Sequence, residues 1–340
     1  MPGPCLSLSV WRAFRLGAGF RALWLLILLS FWAFSGTSQL FAKDLEKLKI
    51  ATLPIADTIL LHEANLRGFF EENGLEVDLI PFQSAMEKDA AVMAGGIDGH
   101  FCEMGSVILQ RALGLPFMVV ATTSHTDPDR RMFGMVTKPD AEEEDIESVR
   151  GKSIGISRLY MVDFMTDVFL EEEKLPYDYF ERVDVKKIPV RYQMLIGKQL
   201  DLALFPEPFL TMAERTGGKV ILDDRKLNMP LAVVALRGDI SPSSVRLFQK
   251  SISQAVSFVV ENPDEAKADM IKLGLIPPTL MEGYELPAFN LKNIPYALPD
   301  EALFHRYVAY FQRNRALSST PNDSLRSAPA YQDVVFQGGR

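Results

Sequence analysis

The side chains best suited to chemistry in this sequence stand just after short apolar runs, where a strand gives way to the next helix. Asp57 and Thr58 follow Lys49–Leu53, Gln83 follows Leu75–Ile80, Glu103 and Ser106 follow Ile97–Cys102, and Ser124 follows Phe117–Thr123. Further on, Arg158 and Tyr160 follow Ser153–Ser157, Arg191 comes after Val183–Ile188, and Glu207 lies behind Asp201–Phe205 in Phe205-Pro206-Glu207-Pro208. The two prolines restrict the backbone on either side of Glu207. Its carboxylate is therefore a preset acceptor for an amine, amide or aminopyrimidine N–H. Arg158 could grip an anionic group with two parallel donors, and Tyr160 could stack on a flat ligand. Each residue also has a purely structural use. Asp57, Thr58, Glu103 and Ser106 can cap the helices they precede, and Glu207 can satisfy the first turn of its own helix. Tyr160 can be a core aromatic, and Arg158 and Arg191 can be surface cations.

Other chemistry is excluded by what the sequence lacks. There are four His with no H-x-x-x-H pair and only two Cys, Cys5 and Cys102, so neither a zinc site nor a disulfide framework is expected. No G-x-S-x-G elbow, P-loop or strand-following G-x-G-x-x-G occurs, and no cofactor is expected. With 36 basic against 44 acidic residues the formal charge is −8. Without a Lys/Arg stripe, such a chain is not expected to bind nucleic acid.

The first 21 residues carry Arg12, Arg15 and Arg21 and no acid, and Ala22–Phe34 is a 13-residue apolar run. A bilayer span needs ~20 apolar residues and a signal-peptide core ~7–15, so residues 1–42 read as a signal peptide, with an uncleaved anchor as the alternative. Cleavage after Ala42 removes three positive charges, leaving 298 residues with 33 basic and 44 acidic groups, a charge of about −11. The mature protein is expected outside the cytoplasm, in the periplasm or its equivalent, as a soluble monomer.

From Leu48 onward short apolar runs alternate with amphipathic stretches, the βα pattern of a largely parallel sheet. The spacing predicts a helix over Thr58–Glu72 capped by Asp57 or Thr58, and further helices at Glu87–Met93 and Ser106–Leu113. After the break HTDPDRR (125–131), Met132–Thr137 reads as a crossover strand, and the acidic run Ala141–Glu147 as a solvated lead into a short helix. A second βα series then starts, with helices around Val162–Glu173, Tyr192–Ile196 and Pro208–Arg215. A second crossing leads to Leu231–Leu236, and long helices follow, the first opened by Ser241-Pro242. The expected architecture is α/β with two lobes, each a mostly parallel sheet flanked by helices. Lobe one comprises 43–125 plus 231–340 and lobe two 131–222, with hinge crossings at 126–130 and 223–230. The C-terminal helices are expected to pack back on lobe one.

Six pieces in order carry a family likeness: ANLRGFFEENG (64–74), AGGID (94–98), ALGLPF (112–117), VRGKSIGI (149–156), IGKQLDLALFPEPF (196–209) and VENPDEA (260–266). Across 47–335 the chain resembles the periplasmic solute-binding proteins of the nitrate/sulfonate/taurine (NitT/TauT) and thiamine-precursor type, which serve ABC importers. The resemblance implies a type II periplasmic-binding-protein fold, two lobes closing over a small organic solute, and an ABC permease with its ATPase as partners. It places Glu207 at the cleft. It also marks Arg158-Leu159-Tyr160-Met161 as a departure, because the family usually has small Ser/Gly residues there. Ligand contacts are then expected from loops at the carboxyl ends of strands. Two other classes fit the same likeness: an enzyme on this fold, of the menaquinone- or pyrimidine-pathway type, or a receptor presenting its solute to a sensor kinase. The cysteine cluster of the pyrimidine synthase is missing here.

Overall fold

The computed structural model describes residues 45–142, 145–286, 298–319 and 326–338. Residues 1–42, expected to be a signal peptide, lie outside them. Among the described residues, no helix is long and apolar enough to cross a membrane.

The first βα series is β1 (Glu46–Thr52), α1 (Ile59–Leu66), α2 (Phe69–Glu72), β2 (Leu75–Pro81), α3 (Ala85–Met93), β3 (Gly99–Cys102), α4 (Met104–Ala112) and β4 (Phe117–His125). The second is β5 (Phe133–Thr137), β6 (Ser153–Ile156), α5 (Met161–Glu172), β7 (Glu181–Asp184), α6 (Ile188–Ile196), β8 (Leu202–Pro206), α7 (Phe209–Arg215) and β9 (Val220–Asp223). Then come β10 (Pro230–Arg237), α8 (Pro242–Glu261), α9 (Pro263–Lys272), α10 (Glu301–Arg313) and α11 (Tyr331–Val334).

These strands form two five-stranded sheets, in the orders β2-β1-β3-β10-β4 and β7-β6-β8-β5-β9. In each sheet four strands run parallel and one antiparallel. The odd strand is the first after a crossing: β5 pairs antiparallel with β8 and β9, and β10 with β3 and β4. A chain arriving from the other lobe enters its sheet from the opposite end, which explains the reversal. The sheets are mixed, and the α/β two-lobed architecture stands. The crossings are tied together where the Asp224 carboxylate accepts from the Met132 N–H at 2.9 Å.

Several local expectations change. The single helix over Thr58–Glu72 is two pieces, because Gly68 adopts φ 73° between them, a conformation glycine enters without steric cost. Neither Asp57 nor Thr58 caps α1; the Thr58 hydroxyl instead donates back to the Ile55 carbonyl at 2.7 Å. The strand expected at Val183–Ile188 ends at Asp184, and Pro189 opens α6, where its missing N–H costs nothing. Positions 143 and 144 of the acidic run lie outside the described residues. Residues 145–150 form turns in which Asp145 and Ser148 bond to each other, and no helix follows before β6.

Ser241 caps α8 as its sequence suggests, accepting from the Ser244 N–H at 3.1 Å. Ser241→Ala is expected to cost about 1 kcal/mol, measurable by urea unfolding.

Helix α10 packs on lobe one, where the ring of Tyr307 lies so close to Gly105 of α4 that a Cβ there would stand 2.7 Å from it. It also grips α5 of lobe two. Tyr307 stacks on Phe164 with centroids 3.8 Å apart, the Tyr310 hydroxyl donates to Asp163 at 2.6 Å, Arg306 pairs with Glu171, and Arg313 pairs with Asp167. Asp163, Asp167 and Glu171 fall on one face of α5 at four-residue spacing. The helix expected on lobe one alone thus spans both lobes.

Candidate functional site

Between the lobes lies a cavity of about 70 Å³ walled mainly by apolar side chains. Lobe one supplies Leu53, Ile55, Asp57, Phe101, Cys102 and Glu103, and β10 adds Leu231 and Ala232. Lobe two supplies Phe133, Ser157, Tyr160, Met161, Lys186, Ile188 and Arg191. Most of the polar lining belongs to loops at strand carboxyl ends, as open α/β sheets generally arrange.

The charged groups are sorted by side. Asp57, only 1% exposed, receives the Ser124 hydroxyl on Oδ2 at 3.0 Å, while its Oδ1 is buried with no hydrogen-bond partner. Burial pushes the carboxyl up to about 7, against the opposing pull of the Ser124 bond. Glu103 opens α4 and accepts the Ser106 hydroxyl at 2.8 Å; burial raises its pKa too, although nearby Lys88 counters this.

Facing them, Arg191 is also 1% exposed. Its Nη1 donates to the Val185 carbonyl at 2.9 Å, and its guanidinium carbon stands 5.3 Å from the Phe205 ring centroid. Its Nε has no partner. Burial lowers its pKa to about 10, against the opposing charge of Asp184. A buried guanidinium with no direct ion pair is costly; this one is held because its stem crosses Gly155 of β6, where a Cβ would stand 3.1 Å from Arg191 Cγ and 2.6 Å from Leu200 Cδ1. Gly155→Val is expected to push Arg191 off this seat, costing about 1–3 kcal/mol from overpacking. Thermal unfolding would read the loss. Lys186 stands nearby, its Nζ 3.0 Å from Asp184 and 5.5 Å from the Tyr160 ring centroid.

A polar network backs the lobe-one wall. Lys88, wholly buried, donates to Asp89 at 2.6 Å and to His100 Nδ1 at 2.8 Å. The far nitrogen of His100 meets Gln110 Oε1 at 3.0 Å, so the ring is neutral with its proton on Nε2. The Tyr160 hydroxyl reaches across from lobe two to Asp89; burial and the neighbouring carboxylates hold its proton on. Lys187 and Glu87 pair at 2.9 Å, also between the lobes.

Of the residues singled out from sequence, the structure brings Asp57, Glu103, Tyr160 and Arg191 to this one cavity, with Ser124 and Ser106 behind two of them. Thr58 is buried against its own turn, and Gln83 is exposed. Arg158 faces a different, shallow hollow with Arg182 and Arg313. Glu207 does not line the cavity. Its carboxylate is taken up by the Thr211 hydroxyl at 2.9 Å, the Thr211 N–H and Arg131 at 3.3 Å, beside a separate cavity of about 300 Å³. It is the first-turn acceptor of its own helix. Sequence reading passed over Lys186, Leu53 and Phe133. The adjacent Lys186-Lys187 pair near a strand end was the available signal for the first.

Residues 56–266 match the family described as NMT1/THI5 like. The chain belongs to that family. Its fold is that of solved periplasmic-type binding proteins. The ligand-binding component of an ABC-type import system from Staphylococcus aureus, solved with zinc, is similar over 85% of this chain and 96% of that one, at TM-score 0.62 and 15% identity. The aliphatic sulphonate-binding protein SsuA of Escherichia coli is similar over 79% and 88%, at 0.62 and 13%. The nitrate-binding protein NrtA of Synechocystis is similar over 83% and 84%, at 0.60 and 14%. No curated protein is significantly similar in sequence. At these identities the likeness to solved structures concerns the fold, and the NMT1/THI5-like match spans both lobes and the cavity between them.

Proposed function

We propose that this NMT1/THI5-like protein is an extracytoplasmic receptor that traps a small organic solute between its lobes and hands it, unaltered, to an ABC permease and its ATPase. In this reading residues 1–42 direct export and the receptor works as a monomer. The observation that carries the reading is the cavity itself. Both lobes build it, and it holds a buried cation and a buried carboxylate, each with an unpartnered atom. Groups left so cost stability, and a solute that meets them recovers it. A solute that touches both walls favours the closed arrangement by that double contact. The sulfonate- and nitrate-binding proteins of the same fold support the assignment to import.

The test is a thermal-shift screen of the protein from residue 43 against nitrate, sulfonates, pyrimidines and amino-acid-like solutes. At 100 times Kd a true ligand adds ~2.7 kcal/mol of stability. Mass spectrometry after denaturation is expected to return that solute unchanged, one per chain. A solute recovered as a different compound would make the protein an enzyme.

A further inference from the structure

Resting on the two-lobed receptor reading, we infer that the Tyr160 hydroxyl and the Asp89 carboxylate form a latch that holds the lobes closed over the empty cavity, and that Lys88 is the positioning residue that sets Asp89 for it.

The lobe-one half of the latch is a closed ring of hydrogen bonds. Lys88 donates to Asp89 Oδ1 at 2.6 Å and to His100 Nδ1 at 2.8 Å. His100 Nε2 meets Gln110 Oε1 at 3.0 Å, and Gln110 Nε2 returns to Asp89 Oδ1 at 3.4 Å. Lys88 and His100 are wholly buried, whereas the Asp89 carboxylate stays partly exposed. A buried ammonium is costly, and a methionine would fill the same space without that cost. What the lysine supplies in return is a carboxylate fixed in one orientation at the boundary of lobe one.

The lobe-two half is fixed as well. Tyr160 directly precedes α5. Its loop is held by Asp184, which accepts the Arg158 N–H at 2.9 Å, and by Asp163, which accepts the Leu159 N–H at 3.1 Å. The Tyr160 hydroxyl hydrogen-bonds the Asp89 carboxylate across the lobe boundary. Its ring lines the cavity, as do Ala85 at the start of α3 and Cys102 of β3.

The charges nearest this contact are Lys88 and Glu103 on lobe one, and Lys186 with its partner Asp184 on lobe two. Each lysine has a carboxylate of its own lobe, so the bond across the boundary runs from a neutral phenol to a carboxylate, a charge-assisted pairing that is stronger than a neutral one. Helix α3 makes a second interlobe contact, Glu87 to Lys187, but both side chains are well exposed and such pairs contribute little. An empty receptor latched in this way admits solute only in the fraction of molecules whose latch is open. Asp89 and Tyr160 are thus a brake on both uptake and release.

Cys102 reports the opening, because it is the one cysteine in a chain begun at residue 43 and is buried on the cavity wall. The measurement is its rate of alkylation by N-ethylmaleimide at pH 8, without solute, with the folding of each variant checked by circular dichroism. Tyr160→Phe keeps the ring and removes the hydroxyl, and is expected to speed alkylation about tenfold, the effect of one lost hydrogen bond to a charged group. In a Lys88→Met background the same change is expected to add less than about twofold, because the latch is already lost; this comparison cancels any direct effect of the lysine on the thiol. Glu87→Gln at the rim and Ser241→Ala at the cap of α8 are each expected to change the rate less than about twofold. An unchanged rate in Tyr160→Phe would overturn the latch, and a full tenfold gain in the Lys88→Met background would overturn the role of Lys88. Acceleration in Glu87→Gln equal to that in Tyr160→Phe would move the closing contact to the rim. Equal acceleration in Ser241→Ala would show that the lobes part only by unfolding, and either result overturns the inference. No solute enters the measurement, so each of these failures leaves the receptor reading to the solute screen.

Discussion

Asp163→Ala is expected to lower the melting temperature by about 10 °C. The carboxylate is fully buried and collects three donors: Arg182 at 2.6 Å, the Tyr310 hydroxyl at 2.6 Å and the Leu159 N–H at 3.1 Å. Removing it leaves a buried phenol unpaired and strips Arg182 of one of its two carboxylates, Asp167 keeping the other, a loss of about 3 kcal/mol, and each kcal/mol is worth about 2–4 °C in a chain of this size. Tyr310→Phe removes one hydrogen bond and is expected to cost about 1 kcal/mol. Arg313, a third exposed at its pairing with Asp167, is expected to matter still less, because partly solvated pairs are weak. The order Asp163 ≫ Tyr310 > Arg313 in calorimetric melting would establish α10 as a strut between lobes. Equal effects would reduce it to a surface helix. Asp163 also orders the 157–161 loop through Leu159, which has φ 69°, so the strut and the cavity wall share a residue.

Asp57→Asn is expected to stabilise the empty protein at pH 8 relative to pH 5. A carboxyl raised by burial from 3.8 to about 7 binds its proton more tightly folded than unfolded. Its contribution is therefore best at low pH and is lost as pH rises from about 4 to about 7. Integrated with a pKa of about 7, the advantage of the variant over wild type grows by about 3 kcal/mol between pH 5 and pH 8. Asp224, held near 7 mainly by burial at the crossing, gives a slope of the same sign, so the variant keeps half of the behaviour. The added amide protons face the apolar cavity and cost about 1–3 kcal/mol at either pH, which shifts both values without altering their difference. A parallel pair of pH–stability curves would show that Asp57 is not buried as a charge. Functional sites commonly carry such cost in the unliganded state.

The architecture was largely legible because it rests on local signals. The apolar runs ended in Pro or Gly, and Ser241-Pro242 announced α8. The loops that line the cavity were legible in the sequence, but which of their side chains face it was not. Glu207 and Asp57 looked alike in sequence, each a carboxylate ahead of a helix. They part in the structure because Thr211 and Arg131 converge on Glu207, whereas Asp57 is met by Ser124 alone and keeps one oxygen free. Arg131 comes from the first crossing, and no local pattern places it. Arg191 reads as a first-turn surface cation; what buries it is the absence of a side chain at Gly155, two elements away. Lys186 was hidden because the strand expected over Val183–Ile188 ends four residues earlier, at Asp184, and strand ends are where assignment is least determined. The bridging role of α10 needed the pairing of two helices far apart in sequence.

The most direct measurement asks whether solute must pass between the lobes. Glu87 and Lys187 meet across the rim at 2.9 Å, and Cys102 is buried. Cysteines placed at 87 and 187, in a chain begun at residue 43, can be joined by a short bis-methanethiosulfonate cross-linker, each thiolate displacing a sulfinate to form a disulfide that a reductant later cleaves. With the solute identified by screening, calorimetry of the joined protein is expected to show no binding, and cleavage of the reagent to restore one solute per chain. Joined protein that binds at the rate and affinity of the free one would place the solute outside the interlobe cavity and contradict the proposal.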